Sequence, residues 1–215
     1  MSQIRRWHIY PNADALRERA AAAILRLARE AIASHGEFNL VLAGGDTPRA
    51  IYRSLAQAEA DWSHWNVYFG DERVTAVRDP QRNSAMAYSA WLDAQPGIKV
   101  YPIPTELGAE RAAAEYARIV SGVRFDLVLL GLGEDGHTAS LFRSENCTAA
   151  GETLVIYDAP KPPPQRVSLT AHCLSRAAAV WFLVSGAAKS AAVSRWRKGE
   201  AIPAAAIAPP GGVDI

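Results

Sequence analysis

The residues best suited to chemistry stand in one short run, Gly131 to Phe142, which reads GLGEDGHTASLF. It contains His137, whose imidazole titrates near neutral pH and can accept and return a proton. The acidic residues Glu134 and Asp135 come just before it. This pattern is typical of a catalytic acid-base group, although a histidine here can also be a polar surface residue. Asp135 and His137 alone are too few ligands to predict a metal site.

Two further loops follow strand-like runs. The first contains Gly44, Gly45, Asp46 and Thr47 and precedes a predicted helix, so bare amides and a positive helix end would suit a phosphate. A tight capped turn is the simpler interpretation, and the carboxylate of Asp46 would repel a phosphate unless it faces away. The second loop is Asp71-Glu72-Arg73, which can equally be a solvated ionic turn.

Three cations lie next to predicted strand ends and are candidates for binding an anionic substrate: Arg73, Arg166 and Lys189. Each of them, taken alone, can also be an ordinary solvated side chain. A nucleophile is harder to find, because the sequence has no G-x-S-x-G motif and Cys147 lies far from any histidine that could activate it. Covalent catalysis is therefore not expected.

The glycines Gly131, Gly133 and Gly136 imitate the G-x-G-x-x-G motif of dinucleotide-binding proteins, with Asp158 where a ribose-binding acid would stand. Two observations weigh against a nicotinamide site. Glu134 and Asp135 would repel a pyrophosphate, and at least two strand-helix units precede a motif that normally begins its fold. No cofactor is predicted.

The elements that must position these loops alternate along the chain. Strands are predicted at 38–42, 65–70, 100–103, 126–130, 153–157, 166–170 and 178–184. Helices are predicted at 13–35 (closed by Gly36), from Pro48 after an Asp46 or Thr47 cap, from a Ser84 cap to Trp91, at 108–121, from Thr138, and through Trp196. The tail from Pro203 is expected to be irregular. We therefore predict a single α/β domain over 1–215, Rossmann-like, with a mostly parallel sheet and helices on both faces, whose loops after Leu42, Phe69 and Leu130 open on one side.

Composition narrows the class of protein. With 49% hydrophobic and 21% charged residues and a net charge of +1, the 215-residue chain is typical of a globular protein and offers no electrostatic case for nucleic acid or an anionic membrane. It shows no signal peptide or membrane span, so a cytoplasmic location is expected. The sequence does not determine the oligomeric state and is compatible with a monomer.

Taken together, several blocks resemble the 6-phosphogluconolactonase family, in order and over most of the chain. The blocks are Gly44 to Pro48, Phe69 to Arg73, Asn83-Ser84, Gly131 to Phe142, Arg166 to Thr170 and Ser185 to Lys189. Glucosamine-6-phosphate deaminases share the fold and the D-G-H core, but they typically have Asn-Glu after the histidine and Asp-Glu-Tyr in the second loop. Asp46, Arg143 and Ser168 depart from the lactonase pattern.

The resemblance implies metal-free hydrolysis of 6-phospho-D-glucono-1,5-lactone, a small-molecule sugar phosphate. In that mechanism His137 acts as general base and then general acid, oriented by Asp135 or Asp71, while loop amides or Arg73 stabilise the oxyanion. Arg166 and Lys189 would anchor the phosphate. The remaining substrate-binding candidates are Gly44, Gly45, Asp46, Thr47, Asn83, Gly133 and Thr138.

Two other functions stay open at this point. One is an amino-sugar-phosphate isomerase or deaminase that uses Asp71 as its base. The other is a non-catalytic sugar-phosphate sensor, which would normally carry an additional DNA-binding or partner module.

Overall fold

A seven-stranded parallel sheet is the centre of the molecule in the computed structural model, which describes residues 3–215. The strands are Arg5–Arg6 (β1), Phe38–Leu42 (β2), Trp65–Phe69 (β3), Asp71–Arg73 (β4), Lys99–Tyr101 (β5), Leu127–Leu130 (β6), Thr153–Ile156 (β7), Arg166–Leu169 (β8), Ala179–Phe182 (β9) and Val213–Asp214 (β10). The parallel sheet has the order β1-β10-β9-β6-β2-β3-β5, and β4-β8-β7 form a small antiparallel sheet. The predicted α/β architecture with a mostly parallel sheet is confirmed.

Helices flank this sheet. They are Ala13–His35 (α1), Asp46–Ala56 (α2), Asn83–Ala90 (α3), Ala109–Val120 (α4), Ser144–Cys147 (α5), Ala171–Ser175 (α6) and Ser190–Arg197 (α7). The first helix has the predicted bounds because both ends carry strong local signals. Asn12 accepts the Ala15 N–H at 2.8 Å, and Gly36 ends the helix in the left-handed conformation, at φ 89°. Within residues 3–215, no helix has the length and apolar character needed to cross a membrane.

The central strands are buried on both faces, as their apolar runs predict. Every residue of β2, β3 and β6 is buried, and their side chains belong to one continuous hydrophobic core. The polar exceptions in β2 and β3 are Asn39 and Asn66, which hydrogen-bond to each other at 3.0 Å and to Glu37. These bonds satisfy groups whose unpaired burial would be costly.

Several local predictions were wrong. No helix begins at Thr138, because Ala139 adopts φ 46° and the chain closes a small Thr138–Leu141 bridge instead. Helix α2 begins at Asp46, so Pro48 is its third residue, and Gly45 takes the cap position without a side-chain cap. Ser84 is likewise inside α3 rather than at its cap.

Two segments predicted to be loops are strands. Asp71–Arg73 pairs antiparallel with β8, and Val213–Asp214 in the tail lies between β1 and β9. Both strands are short, and they form because they pair with strands that are distant in the sequence.

Candidate active site

Three loops meet at the carboxyl ends of the adjacent strands β6, β2 and β3, as predicted. They surround a cavity of about 290 Å³. The small antiparallel sheet and the proline-rich segment between β7 and β8 close its side. Its lining comprises Leu42, Ala43, Gly44, Gly45, Gly70, Asp71, Arg73, Asn83, Leu130, Gly131, Leu132, Gly133, His137, Thr138, Ala139, Phe142, Lys161, Pro162, Arg166 and Lys189.

The imidazole of His137 is held from one side by Asp135. Its Nδ1 lies 2.5 Å from Oδ1 of Asp135, which also accepts the backbone N–H of His137 at 3.1 Å. Partial burial raises the pKa of Asp135, but these hydrogen bonds and the charge of His137 together outweigh it and leave that pKa below its usual value. The ring packs against Phe142 with centroids 4.5 Å apart. Asp135, rather than Asp71, therefore contacts the histidine.

Glycine is required in the hairpin that carries this pair. A Cβ on Gly133 would lie 2.0 Å from Nδ1 of His137. Gly133 donates its N–H to the His137 carbonyl at 2.7 Å, which closes the hairpin, and Gly136 turns with φ 93° against Ile202. Thr138 is buried and donates its hydroxyl to the Gly131 carbonyl at 2.8 Å. The backbone itself therefore presents His137 to the cavity.

A chain of hydrogen bonds joins the three loops beneath the cavity. Ser140 in the third loop donates its hydroxyl to Oδ2 of buried Asp71 in the second, at 2.6 Å. Oδ1 of Asp71 accepts Nδ2 of Asn83 at 2.9 Å. Asn83 in turn packs on Gly44 of the first loop so closely that a Cβ there would lie 2.0 Å from its Oδ1. Asp71 thus organises the site and lines the cavity.

Glu72 has a structural role that its sequence context did not reveal. Its side chain is fully buried and accepts hydrogen bonds from the N–H groups of Arg73, Asn83 and Ser84 and from the Ser84 hydroxyl, at 2.7–2.9 Å. The negative charge of the carboxylate therefore stabilises the amino-terminal end of α3, where the helix dipole is positive. This anchoring places Asn83 at the cavity.

Four cations line the cavity, three of them predicted. Arg73 donates Nη1 to the Gln81 carbonyl. Arg166 is buried, and burial lowers the pKa of its guanidinium, against the opposing charge of Asp71. Lys189 and the unpredicted Lys161 complete the set, and neither is paired with a carboxylate anywhere in residues 3–215.

In the first loop, backbone N–H groups rather than side chains are available to bind a ligand. The N–H groups of Gly44 and Gly45 have no hydrogen-bond acceptor within the described chain, and they stand at the start of α2. Asp46 does not line the cavity; it is 90% exposed and pairs with Arg49 at 2.6 Å. Its charge therefore points away from any anion bound there. Thr47 is also absent from the lining.

The other two departures from the family pattern lie beside the site. Arg143 forms an exposed ion pair with Asp158 at 2.7 Å. Asp158, the acid of the dinucleotide interpretation, is thus engaged elsewhere. Ser168 is buried and donates to the Leu169 carbonyl at 2.9 Å. No helix starts at the glycines of the G-x-G-x-x-G run, so the geometry that a pyrophosphate needs is lacking there.

The structure brings most of the predicted site together. The predicted residues that line the cavity are Gly44, Gly45, Asp71, Arg73, Asn83, Gly133, His137, Thr138, Arg166 and Lys189. Asp135 supports His137 from behind, whereas Asp46 and Thr47 lie outside. Sequence reasoning missed Glu72, Ser140 and Lys161 as contributors; the only available signal was their position inside blocks already singled out or, for Lys161, in a proline-rich loop.

Comparisons with known proteins agree on one family. The family model described as glucosamine-6-phosphate isomerases/6-phosphogluconolactonase matches residues 11–214. A 6-phosphogluconolactonase from a Synechocystis strain is 36% identical over 89% of this chain and 85% of its own, and one from Streptomyces coelicolor is 34% identical over 90% and 83%. The crystal structure of 6-phosphogluconolactonase from Thermotoga maritima superposes with a TM-score of 0.89 at 25% identity, covering 98% of this chain and 97% of the other.

Proposed function

The chain belongs to the glucosamine-6-phosphate isomerase and 6-phosphogluconolactonase family, and we propose that His137 is the acid-base group of its reaction. Within that family it hydrolyses 6-phospho-D-glucono-1,5-lactone to 6-phospho-D-gluconate, a step of the pentose phosphate pathway. The observation that carries the mechanistic proposal is the 2.5 Å contact between Nδ1 of His137 and the carboxylate of Asp135 at the cavity wall.

This contact fixes the tautomer of the imidazole. An ionised carboxylate only accepts hydrogen bonds, so Nδ1 of the neutral ring carries the proton that it donates to Asp135. Nε2 then has a free lone pair, and it has no protein partner in residues 3–215. A water molecule in the cavity can therefore give its proton to Nε2 as it attacks the lactone carbonyl.

The same pair supports the second half of the reaction. Proton transfer makes an imidazolium, whose charge the Asp135 carboxylate stabilises. The imidazolium then returns the proton to the ring oxygen as the C1–O bond breaks. Acid-base catalysis of this kind contributes about 10² to 10⁴ in rate. The unpaired N–H groups of Gly44 and Gly45 are the proposed donors to the carbonyl oxygen as its negative charge develops.

The phosphate is assigned to the cationic side of the cavity. Arg166 donates hydrogen bonds from Nε and Nη2 to backbone carbonyls of the loop between β7 and β8. Its Nη1 has no protein acceptor in the described residues and remains available for an anion. Lys189 supplies a second positive charge from the segment after β9. Asn83 and Thr138 also line the cavity, and they are the proposed contacts for the sugar hydroxyls.

The geometry also favours hydrolysis over the two alternatives. Both oxygens of Asp71 accept hydrogen bonds, from Ser140 and Asn83, which suits a carboxylate that positions its neighbours better than one that removes a proton from the substrate. A sensor has no need for a histidine whose tautomer is set by a carboxylate.

The experiment follows acid release from freshly prepared 6-phosphogluconolactone, with the spontaneous rate subtracted. The wild-type protein should accelerate it, and His137→Ala should lose about 10² to 10⁴ of the enzymatic rate while keeping its circular dichroism spectrum. Ammonia release from glucosamine-6-phosphate, measured in parallel, should be absent. Full activity in the His137→Ala protein would refute the role assigned to this residue.

A further inference from the structure

Part of the cavity lining belongs to a loop that the sequence did not suggest as functional. It runs from Ala159 to Gln165 between β7 and β8 and contains Lys161 followed by three prolines. Lys161 lines the cavity, and its ammonium has no ion-pair partner among residues 3–215. A cation at a cavity wall without a protein counter-charge is free to pair with an anionic ligand.

The loop is held by the arginine behind it. Arg166 donates Nε to the Pro163 carbonyl at 2.8 Å and Nη2 to the carbonyls of Lys161 and Pro162 at 3.0 and 3.3 Å. Arg166 is only 4% exposed, so its side of these part-buried bonds is shielded from water. Its planar fork fits three successive carbonyls in a way that an ammonium cannot.

Two further features restrict the loop. The Ala159 N–H donates to the Pro164 carbonyl at 3.0 Å, which closes the loop at its base. Prolines restrict the backbone further, because each has a fixed φ. A lysine in a flexible loop would spend most of its time in solvent, whereas this one starts from a backbone fixed beside the cavity.

We propose that Lys161 determines specificity by binding the anionic tail of the lactone, and that Arg166, besides its own contact, is the positioning residue that holds Lys161 there. The proposal rests on the proposed function and adds a residue to it. A phosphate carries nearly two negative charges, and Arg166 and Lys189 approach it from strand and helix ends. Lys161 adds a third positive charge from the loop between β7 and β8, and an unphosphorylated lactone would not use that charge.

The first test compares two substrates, 6-phosphogluconolactone and glucono-1,5-lactone. Lys161→Met keeps the aliphatic stem and removes the charge. It should lower kcat/KM for the phosphorylated lactone about fivefold to fiftyfold, mainly through KM, and lower the ratio of the two kcat/KM values by at least about fivefold. Lys198→Met, at the end of α7 and outside the cavity lining, is the matched control and should leave that ratio unchanged. An unchanged ratio in Lys161→Met, or an equal loss on both substrates, overturns the proposal.

The second test addresses the positioning role. Arg166→Lys keeps a positive charge but loses the fork, so the Lys161→Met change should cost much less in that background than in the wild type. Independent effects that simply multiply would show that Arg166 does not act through Lys161. If Arg166→Lys does not fold, Pro164→Gly loosens the exposed part of the loop without touching the buried guanidinium. It should lower the same substrate ratio, and an unchanged ratio would contradict a positioned loop.

These outcomes are separable from failure of the proposed function. If the wild-type protein does not accelerate lactone hydrolysis, the proposed function is wrong. If it does, and His137→Ala abolishes turnover while Lys161→Met leaves the substrate ratio intact, only the assignment of Lys161 is wrong.

Discussion

Asp71 and Ser140 are joined by a buried hydrogen bond of 2.6 Å although 69 positions separate them in the chain. The bond ties the loop after β3 to the loop that carries His137. Because Asp71 also holds Asn83, one carboxylate sets the relative positions of residues that line the cavity.

Removal of the Ser140 hydroxyl should therefore affect both stability and turnover. Ser140→Ala leaves Oδ2 of buried Asp71 without its donor, and we expect a loss of about 1–3 kcal/mol in the free energy of unfolding. We also expect a lower kcat/KM, because the second and third loops lose their link. Urea unfolding and steady-state kinetics measure the two effects. Ser54→Ala, which removes a hydroxyl bonded only within α2, should change neither appreciably.

Replacing the carboxylate that orients the histidine tests the tautomer argument. The amide of Asp135→Asn can donate to Nδ1, which would move the imidazole proton to Nε2 and block the general base. We expect kcat to fall about tenfold to a thousandfold with little change in folding. Because the pKa of Asp135 lies below its usual value, the carboxylate stays ionised at mildly acidic pH. Protonation of Asp135 should therefore contribute nothing to the pH dependence of the wild-type rate between about pH 8 and pH 5.

Glu134 provides the control for this variant, since it is an exposed neighbouring carboxylate outside the cavity lining. Glu134→Gln should retain nearly full activity. Equal losses in the two variants would mean that local negative charge, rather than the contact with Nδ1, is what matters.

A single methyl group in the hairpin should displace the histidine. In Gly133→Ala the new Cβ would lie 2.0 Å from Nδ1 of His137 and 2.5 Å from Oδ1 of Asp135, so the pair must separate. We expect activity close to that of His137→Ala in a folded protein, with a changed histidine NMR signal. In Gly211→Ala the nearest atom is 3.9 Å away, so this variant should behave like the wild type. Retention of activity in Gly133→Ala would show that the close approach is unnecessary.

The pairing of the first and last strands should depend on pH. Asp214 in β10 accepts both Nε and Nη2 of Arg6 at 2.8 Å, and these bonds, with His8, lower its pKa. A lowered folded-state pKa stabilises the fold at pH above the unfolded value near 4, and this stabilisation is lost as pH falls through the folded pKa. Asp214→Asn should cost about 0.5–1 kcal/mol at pH 7 and less than that at pH 3.

Urea unfolding at both pH values checks this. Asp158→Asn breaks a more exposed ion pair, with Arg143, and should have a smaller effect. A pH-independent cost for Asp214→Asn would assign its effect to packing instead of charge.

Local patterns were sufficient for the parts of the fold that are locally determined. The apolar runs at Phe38–Leu42 and Leu127–Leu130 are buried strands, and Ala13–His35 has a capping residue at each end. Parallel strands then place their loops on one side, which is why His137 and Asp71 could be assigned to one site before the structure was known.

The other features of the fold and the site depend on contacts between distant residues, which no local sequence pattern predicts. Glu72 looks like a solvated charge but is buried, because the start of α3 supplies its hydrogen-bond donors. Asp135 and Asp71 could not be distinguished as partners of His137 until the hairpin geometry was known. Lys161 lines the cavity from a loop whose carbonyls accept hydrogen bonds from Arg166, a contact that the sequence does not reveal. Thr138 does not begin a helix because Ala139 turns the backbone.

The position of Val213–Asp214 constrains how the protein can be made. These residues fill the slot between the strands Ala179–Phe182 and Arg5–Arg6, so the amino-terminal strand has no neighbour in the sheet until residue 214 has left the ribosome. Chains that lack Val213–Asp214 would leave the edge of the sheet at Ala179–Phe182 unpaired and exposed to other proteins.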